Sequence, residues 1–212
     1  MVLVMEFSDY VLGRLPPPPL RILEIGCGDR GGATPAFVAA GYDVLAIDPR
    51  APEGPNYRRI TLEELEPEPF DVVVAGRVLH HVTPLEPALS KLAGLAPLLI
   101  ADEFAWNLID SGAQRWYERL YREQRLAGSA PTGPEDLDTW RWRHADLHSS
   151  DTLLASVDEF YEAVELEWRP YLYHWLGAET EAVEQAAIDA GELPAIGYRF
   201  TCRARASRAG RL

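Results

Sequence analysis

At 212 residues, with 47% apolar and 25% charged side chains, the chain is long enough to bury one sizeable core without a disulfide or metal staple. A formal net charge of -13 argues against a general affinity for nucleic acid or an anionic membrane surface, because both call for dense lysine and arginine. Two cysteines in unlike contexts, Cys27 in a glycine loop and Cys202 in a late apolar run, fit a reducing cytoplasm.

The first fifteen residues are apolar but interrupted by Glu6 and Asp9, and no basic start or small-residue cleavage site accompanies them. They read as a short helix rather than a signal peptide, and no apolar run of about 18 residues predicts a membrane span. Four consecutive prolines, Pro16 to Pro19, then separate this segment from a first strand in LRILEI. Thr34 as N-cap with Pro35 behind it predicts a helix that Gly41 ends. YDVLAID is a second strand, YRRI a weak third, and Thr61 with Glu64 has the spacing of a capping box. FDVVVAG is a fourth strand, a helix with a Thr83/Glu86 box follows, and PLLIAD is a fifth strand. Apolar strands alternating with helices at this frequency predict a parallel sheet covered on both faces.

Beyond Phe104 the pattern turns helical. A Ser111/Gln114 box opens a helix carrying Trp116, Tyr117, Leu120 and Tyr121 at helical spacing, with Glu118 and Arg122 as an i,i+4 pair. GSAPTGPEDLDTW reads as a loop, and a second helix from Asp151 to Tyr161 places Leu153, Leu154, Val157, Phe160 and Tyr161 on one face. VELEWR and IGYRFTCRAR alternate apolar with acidic and basic residues respectively, which predicts an antiparallel pair joined by cross-strand ion pairs. Between them a helix over ETEAVEQAAIDAG turns Val183, Ala186, Ala187 and Ala190 inward.

The chemistry concentrates in LEIGCGDRGGATP. Gly26 and Gly28 let backbone pass close beneath a ligand, and the N–H groups opening the next helix suit a negative group. Asp48, 22 residues after Gly26, can accept both hydroxyls of an adenosine ribose. These features admit either a nicotinamide dinucleotide or S-adenosylmethionine. Glu24 just before the glycines, the continuation DRGG and a closing reverse hairpin favour the latter.

His80 and His81 follow the fourth strand, and successive residues do not both face one cavity. His81 is the candidate for the acceptor side, since an imidazole titrating near neutrality can take a proton from a hydroxyl or amine. His144, Asp146 and His148 suit acceptor contact or a solvated role better than a metal site, because no further ligand cluster accompanies them. The many aromatics between Trp106 and Trp175 suit a core or an apolar substrate pocket that excludes water.

In order and spacing, LEIGCGDRGGATP, VLAIDPR, FDVVVAGRVLHHV and the C-terminal strand-helix-strand resemble class I S-adenosylmethionine-dependent methyltransferases of the small-molecule, UbiE-like kind. The resemblance spans residues 20–102 well and 163–205 loosely. It implies a Rossmann-like three-layer α/β sandwich with a seven-stranded, mostly parallel sheet, an antiparallel last strand and a helical insertion as lid. Within a single domain of 212 residues, segment 1–19 would be an N-terminal helical piece and 20–103 the cofactor half. Residues 104–162 would form the insertion and 163–212 the closing strand-helix-strand. It further implies that Gly26, Cys27 and Gly28 lie against the cofactor, that Glu24 supports the loop, and that Asp48 holds the ribose. Pro49 and Arg50 would flank the adenine, Thr61 and Leu62 would meet its ring, and Gly76, Arg77 and Val78 would border the methionine and acceptor. GLAP stands where the family often has PGG before the fifth strand, which leaves that turn open. The expected activity is methyl transfer from S-adenosylmethionine, leaving S-adenosylhomocysteine, to O or N of a small molecule. A cofactor-binding protein without catalysis and a nicotinamide-dependent oxidoreductase are the alternatives. Neither a metal, nor nucleic acid, nor a membrane is an expected partner.

Overall fold

The computed structural model describes residues 6–206. The first five residues of the expected N-terminal helix lie outside the described residues; inside them, α1 is Phe7–Leu12. Continuous apolar runs need cover on both faces, and the central strands obey this rule. In β1 (Arg21–Ile25) and β2 (Asp43–Ile47) every residue after the first is buried. The short β3 (Tyr57–Arg58) is followed by β4 (Val72–Gly76), buried up to its last residue. β5 (Leu98–Phe104) runs two residues past the expected strand and carries Asp102 and Glu103 inside an otherwise apolar stretch.

With β6 (Tyr161–Arg169) and β7 (Gly197–Ala204), the strands form one sheet in the order β3-β2-β1-β4-β5-β7-β6. β1 pairs in parallel with both β2 and β4, and β4 with β5. β7 runs the other way: the Ala204 N–H meets the Pro97 carbonyl at one end, and the Ala105 N–H meets the Ile196 carbonyl at the other. This is the expected mostly parallel seven-stranded sheet. Its chain order reverses between β1 and β4, the place where open α/β sheets leave a crevice at their strand ends.

The described residues divide into two compact units. The sheet-bearing unit comprises 6–103, 151–166 and 199–206; the other comprises Phe104–Ser150 and Glu167–Tyr198. The first break falls where the expected cofactor half ends, and the second falls at Ser150, ahead of the expected end of the insertion at 162. In the sheet-bearing unit, α1 and α2 (Thr34–Ala39) contribute Tyr10, Val11 and Phe37 to a cluster with Ile22, Val44, Val72, Val74 and Ile100. Each large apolar side chain buried there contributes about 1.5–3 kcal/mol relative to exposure. α3 (Leu85–Leu95) buries Leu85, Leu89 and Leu92, and α6 (Ser150–Phe160) buries Leu153 and Val157.

The second unit holds α4 (Ser111–Leu126), α5 (Leu137–Arg143), α7 (Tyr173–Leu176) and α8 (Glu181–Asp189). Its core is aromatic: Phe104 stacks on Tyr171 at 3.9 Å, with the Trp175 ring edge-on to both. Gly133 leaves room for this arrangement, since a Cβ there would strike Trp175 and the Tyr117 hydroxyl.

Several local expectations change. Thr34 is the first residue of α2 rather than its cap, because its hydroxyl donates to Glu24 instead. The Thr61/Glu64 box forms in both directions, but α3 and α4 start from Pro84 and Asp110, not from Thr83 and Ser111. The Asp110 carboxylate accepts from the Ala113 N–H at 2.8 Å, the better-placed acceptor. Glu118 takes a hydrogen bond from Gln114 rather than pairing forward with Arg122. α5 begins within the stretch expected to be loop, runs past its end, and is capped by Asp136.

The β6 and β7 charges also go elsewhere. Glu165 binds Arg14, Arg169 binds Glu181, and Arg199 binds Asp102 across the neighbouring strand. Residues 162–168 of β6 are exposed on both faces instead of alternating, with Val164 at 56% exposure. Of the four residues expected inward around α8 only Ala187 is buried; Val183, Ala186 and Ala190 are exposed, and Glu184 is the buried residue of the first turn.

Candidate functional site

A cleft of about 310 Å³ opens at the ends of β1, β2 and β4. Ligand pockets run to roughly 300–1,000 Å³, so this one lies at the small end. β1 contributes Ile25 and Gly26, and β2 contributes Ile47, Asp48 and Pro49. The strand end after β3 adds Ile60 to Glu63, and the turn after β4 adds Val78, His81, Val82 and Thr83. Two acidic residues, Asp48 and the exposed Glu63, therefore sit among mostly aliphatic walls.

The glycine loop below the cleft is fixed by two carboxylates. Glu24, 3% exposed, accepts from the Ala33 N–H at 2.8 Å and from the Thr34 hydroxyl at 2.6 Å. Burial raises its carboxyl above the ordinary range, and these donors offset that only in part. A side chain at Gly32 would run into Glu24, so the loop wraps that carboxylate closely. Asp48 takes the Gly28 N–H on Oδ2 at 3.1 Å and the Arg50 N–H on Oδ1 at 2.7 Å. A carboxylate oxygen accepts two bonds, so each keeps one lone pair for a ligand.

The glycines differ in what their missing side chains allow. At Gly26, φ is +74° and a Cβ would lie 2.5 Å from the Val78 side chain, so this glycine seats the wall after β4. At Gly28, φ is +63° and a Cβ would meet nothing within 4 Å. The loop is open on that side, next to Asp48.

The cleft brings together Gly26, Asp48, Pro49, Thr61, Leu62, Val78 and His81 from the expected set. Glu24 lies beneath the loop as its support, and the Cys27 side chain points inward to Ala46 and Ala51. The Arg50 side chain is 79% exposed and engages Asp48 only loosely, at 3.8 Å. Gly76 faces Phe7 of α1, where a Cβ would come within 3.3 Å. Arg77 adopts φ +56°, a left-handed conformation uncommon outside glycine, and its N–H is held by the Asp102 carbonyl at 2.6 Å.

The two adjacent histidines separate. His80 is buried, with Nδ1 2.5 Å from Glu103 Oε2, whereas His81 lines the cleft. His144 and His148 belong to the other unit. His144 stacks on Trp140 with ring centroids 4.2 Å apart and places Nδ1 2.7 Å from the Trp140 carbonyl, while the His148 carbonyl accepts from the Trp106 indole N–H. Among the described residues, no group of three or more His, Cys, Asp or Glu is arranged to hold a metal ion.

Sequence reasoning missed Glu103, which organises the turn after β4, and the aliphatic walls Ile47, Ile60 and Val82. Two acids ending an apolar strand were the available signal for the first. Nothing marked the second.

Comparison with known proteins agrees with the fold. The family model for a methyltransferase domain matches residues 3–149. A ubiquinone biosynthesis O-methyltransferase of Rhodopseudomonas palustris is 37% identical over 90 residues, 36% of this chain and 35% of that protein. A Bradyrhizobium relative of the same name is 34% identical over the same extent. The chain thus matches about a third of the length of these curated relatives. An S-adenosylmethionine-dependent methyltransferase of Mesorhizobium loti superposes with TM-score 0.58 at 17% identity, covering 93% of this chain and 98% of its own. Phosphoethanolamine N-methyltransferase 2 of Haemonchus contortus, solved with S-adenosyl-L-methionine, gives TM-score 0.57 at 17% identity over 92% of this chain and 51% of its own. With the family model spanning more than half of the sequence, the chain belongs to the S-adenosylmethionine-dependent methyltransferases of class I.

Proposed function

We propose that the protein transfers the methyl group of S-adenosylmethionine to an oxygen or nitrogen of a small-molecule acceptor. The observation that carries the choice of cofactor is Glu24. In a dinucleotide site the N–H groups opening the helix after the glycine loop meet a pyrophosphate. Here a buried carboxylate already takes the Ala33 N–H and Pro35 has none to give, which leaves the helix start short of donors and presents a repulsive charge to a diphosphate. A ligand with an adenosine ribose and no phosphate fits what remains.

Asp48 would hold the ribose hydroxyls with its two remaining lone pairs. Ile47, Ile60 and Leu62 would sandwich the adenine in an apolar slot, and the open side of Gly28 would leave space for the adjoining chain. When bound, the cofactor supplies an electrophilic methyl on a sulfonium. The protein's part is to orient the acceptor in line with it and keep water away. His81, the histidine that lines the cleft, is placed to take the acceptor's proton. His144, committed to Trp140, suits a structural role.

The name of the Rhodopseudomonas relative favours oxygen as the acceptor atom. No helix among the described residues is long and apolar enough to cross a membrane. The two buried free thiols support a cytoplasmic location, and the charge of -13 supports an acceptor other than nucleic acid or a lipid surface.

Isothermal titration with S-adenosylhomocysteine and with NAD tests the cofactor. Binding of the former alone is expected, and binding of NAD alone would end the reading. For catalysis, His81→Gln should lower kcat roughly 10²- to 10⁴-fold with cofactor affinity retained. Unchanged kcat would remove the proton-transfer role. Tight S-adenosylhomocysteine binding with no methyl transfer across a broad acceptor panel would mark a protein that binds without catalysing.

A further inference from the structure

We propose that Glu103, at the end of β5, is a positioning residue that sets the wall of the cofactor cleft through the turn after β4; this rests on the cofactor reading above. Glu103 is fully buried at 0% exposure and spends its whole carboxylate on one short segment. Oε1 accepts from the N–H of Val78 at 3.1 Å and of Leu79 at 2.7 Å, and Oε2 lies 2.5 Å from His80 Nδ1. One residue earlier, the Asp102 carbonyl takes the Arg77 N–H at 2.6 Å. Four consecutive residues, 77 to 80, are therefore tied to two residues of β5.

The anchor is itself held. Asp102 Oδ1 accepts from Arg199 Nε of β7 at 3.0 Å, with both side chains buried. A buried carboxylate is costly unless donors surround it, and here the donors all come from the segment that needs fixing. Apart from Asp102 and Glu103, the buried residues of β5 are aliphatic or aromatic.

The segment matters because its ends face the cleft. Val78 fills the space above Gly26, and His81 and Val82 line the same cavity three and four residues on. Arg77 turns the chain through a left-handed conformation that unsupported backbone would leave. Releasing the Glu103 contacts lets Val78 move off Gly26 and His81 move with it. The cleft then spends part of its time in arrangements that do not bind, and apparent affinity falls in proportion to the lost fraction.

Two variants and a control test this. In Glu103→Ala all three contacts go; if about a tenth of the molecules keep the competent arrangement, the Kd for S-adenosylhomocysteine rises about tenfold by titration calorimetry. Glu103→Gln keeps an oxygen for the two N–H groups and presents an amide N–H to His80. Affinity should stay within about threefold of the parent, while His80 changes from the Nδ1–H to the Nε2–H tautomer in ¹⁵N NMR. Leu89→Ala in α3, buried and away from the cleft, should lower thermal stability and leave Kd unchanged.

A folded Glu103→Ala that binds like the parent overturns the proposal, as does a Leu89→Ala that weakens binding equally. Should Glu103→Ala not fold, the Glu103→Gln spectrum decides, and an unchanged His80 tautomer overturns it. If the parent fails to bind S-adenosylhomocysteine, the cofactor reading falls and this inference with it. Binding lost in Asp48→Ala but kept in Glu103→Ala leaves the cofactor reading intact and removes only the role of Glu103.

Discussion

Replacing Asp48 tests the second of two jobs, one seen in the fold and one proposed, for its carboxylate. On the protein side it anchors the Gly28 N–H at 3.1 Å and the Arg50 N–H at 2.7 Å. Toward the ligand it keeps one lone pair on each oxygen, in a side chain only 11% exposed. Hydrogen bonds to a charged acceptor contribute about 1.5–3 kcal/mol each. Losing both ribose contacts in Asp48→Ala should therefore weaken S-adenosylhomocysteine binding by roughly 10²- to 10⁴-fold, at about 1.4 kcal/mol per factor of ten. Asp48→Asn should resemble Ala rather than the parent, because its amide has one acceptor oxygen and must turn a donor toward one of the two N–H groups. Arg50→Ala should stay within about twofold, since the exposed guanidinium at 3.8 Å contributes little to the carboxylate. Calorimetry with S-adenosylhomocysteine and its 2′-deoxy analogue isolates the ribose term. The parent should discriminate between the two ligands about tenfold, and Asp48→Ala hardly at all, as two partners of one interaction must. A cooperatively folded Asp48→Ala with parental affinity, or one that still discriminates, would refute the assignment of Asp48 to the ribose.

Gly26→Ala should cost about 1–3 kcal/mol of stability in urea melts and abolish measurable cofactor binding, because its Cβ collides with Val78 and φ is +74°. Gly28→Ala, at φ +63° but with open space around it, should cost about 1 kcal/mol and weaken binding less. Burial, and then the charges of Glu24 and Asp48, push the Cys27 thiol up to about 12, and burial does the same for Cys202. Neither thiol should react with an aromatic disulfide reagent at pH 8 until denaturant is added, when both titrate. Glu184, buried at 0% exposure, accepts from the N–H groups of Tyr171, Leu172 and Tyr173, yet burial lifts its carboxyl to about 7 from an ordinary 4.5. A raised carboxyl binds its proton more tightly folded than unfolded, so its contribution is full below about pH 4.5 and is lost as pH rises through about 7. The stability difference between the parent and Glu184→Gln should shift by on the order of 3 kcal/mol over that window in urea melts; a flat difference would refute the shift.

The sheet was legible because its signal is local. Val72 to Ala75 is an unbroken apolar run and Ile22 to Ile25 one broken only by Glu24, a pattern that suits a strand covered on both faces. Asp48 was legible for a related reason, as an acid ending such a run at a fixed distance from the glycines. Helix starts were less so, since serine or threonine three residues before an acid or amide recurs by chance. Thr61/Glu64 forms its box, while Pro84 and Asp110 displace the other two by one residue each. The charges of β6 and β7 looked complementary along the sequence. Their partners, Arg14, Asp102 and Glu181, come from other elements that no pairing rule for two strands contains.

What the sequence hides is which loop returns to a given acid. Glu24, Asp48 and Glu103 each stand at or near the end of a strand, and each holds backbone N–H groups of a segment that borders the cleft or lies beneath it. The strand ends are where a parallel sheet gathers its loops, and loops carry N–H groups that no ladder satisfies. A carboxylate there answers an unsatisfied donor at the cost of its own desolvation, and both debts cancel only if the geometry is tight. That coupling explains why Glu24 tolerates burial and why Gly32, wrapped around it, has no room for a side chain. It also separates the three acids by consequence. Removing Glu24 or Glu103 should act on binding only through the arrangement of the loop each one holds, so a conservative amide that keeps one acceptor oxygen restores much of it. Asp48 should resist such rescue, because in the proposed reading it alone also offers its remaining lone pairs to the ligand.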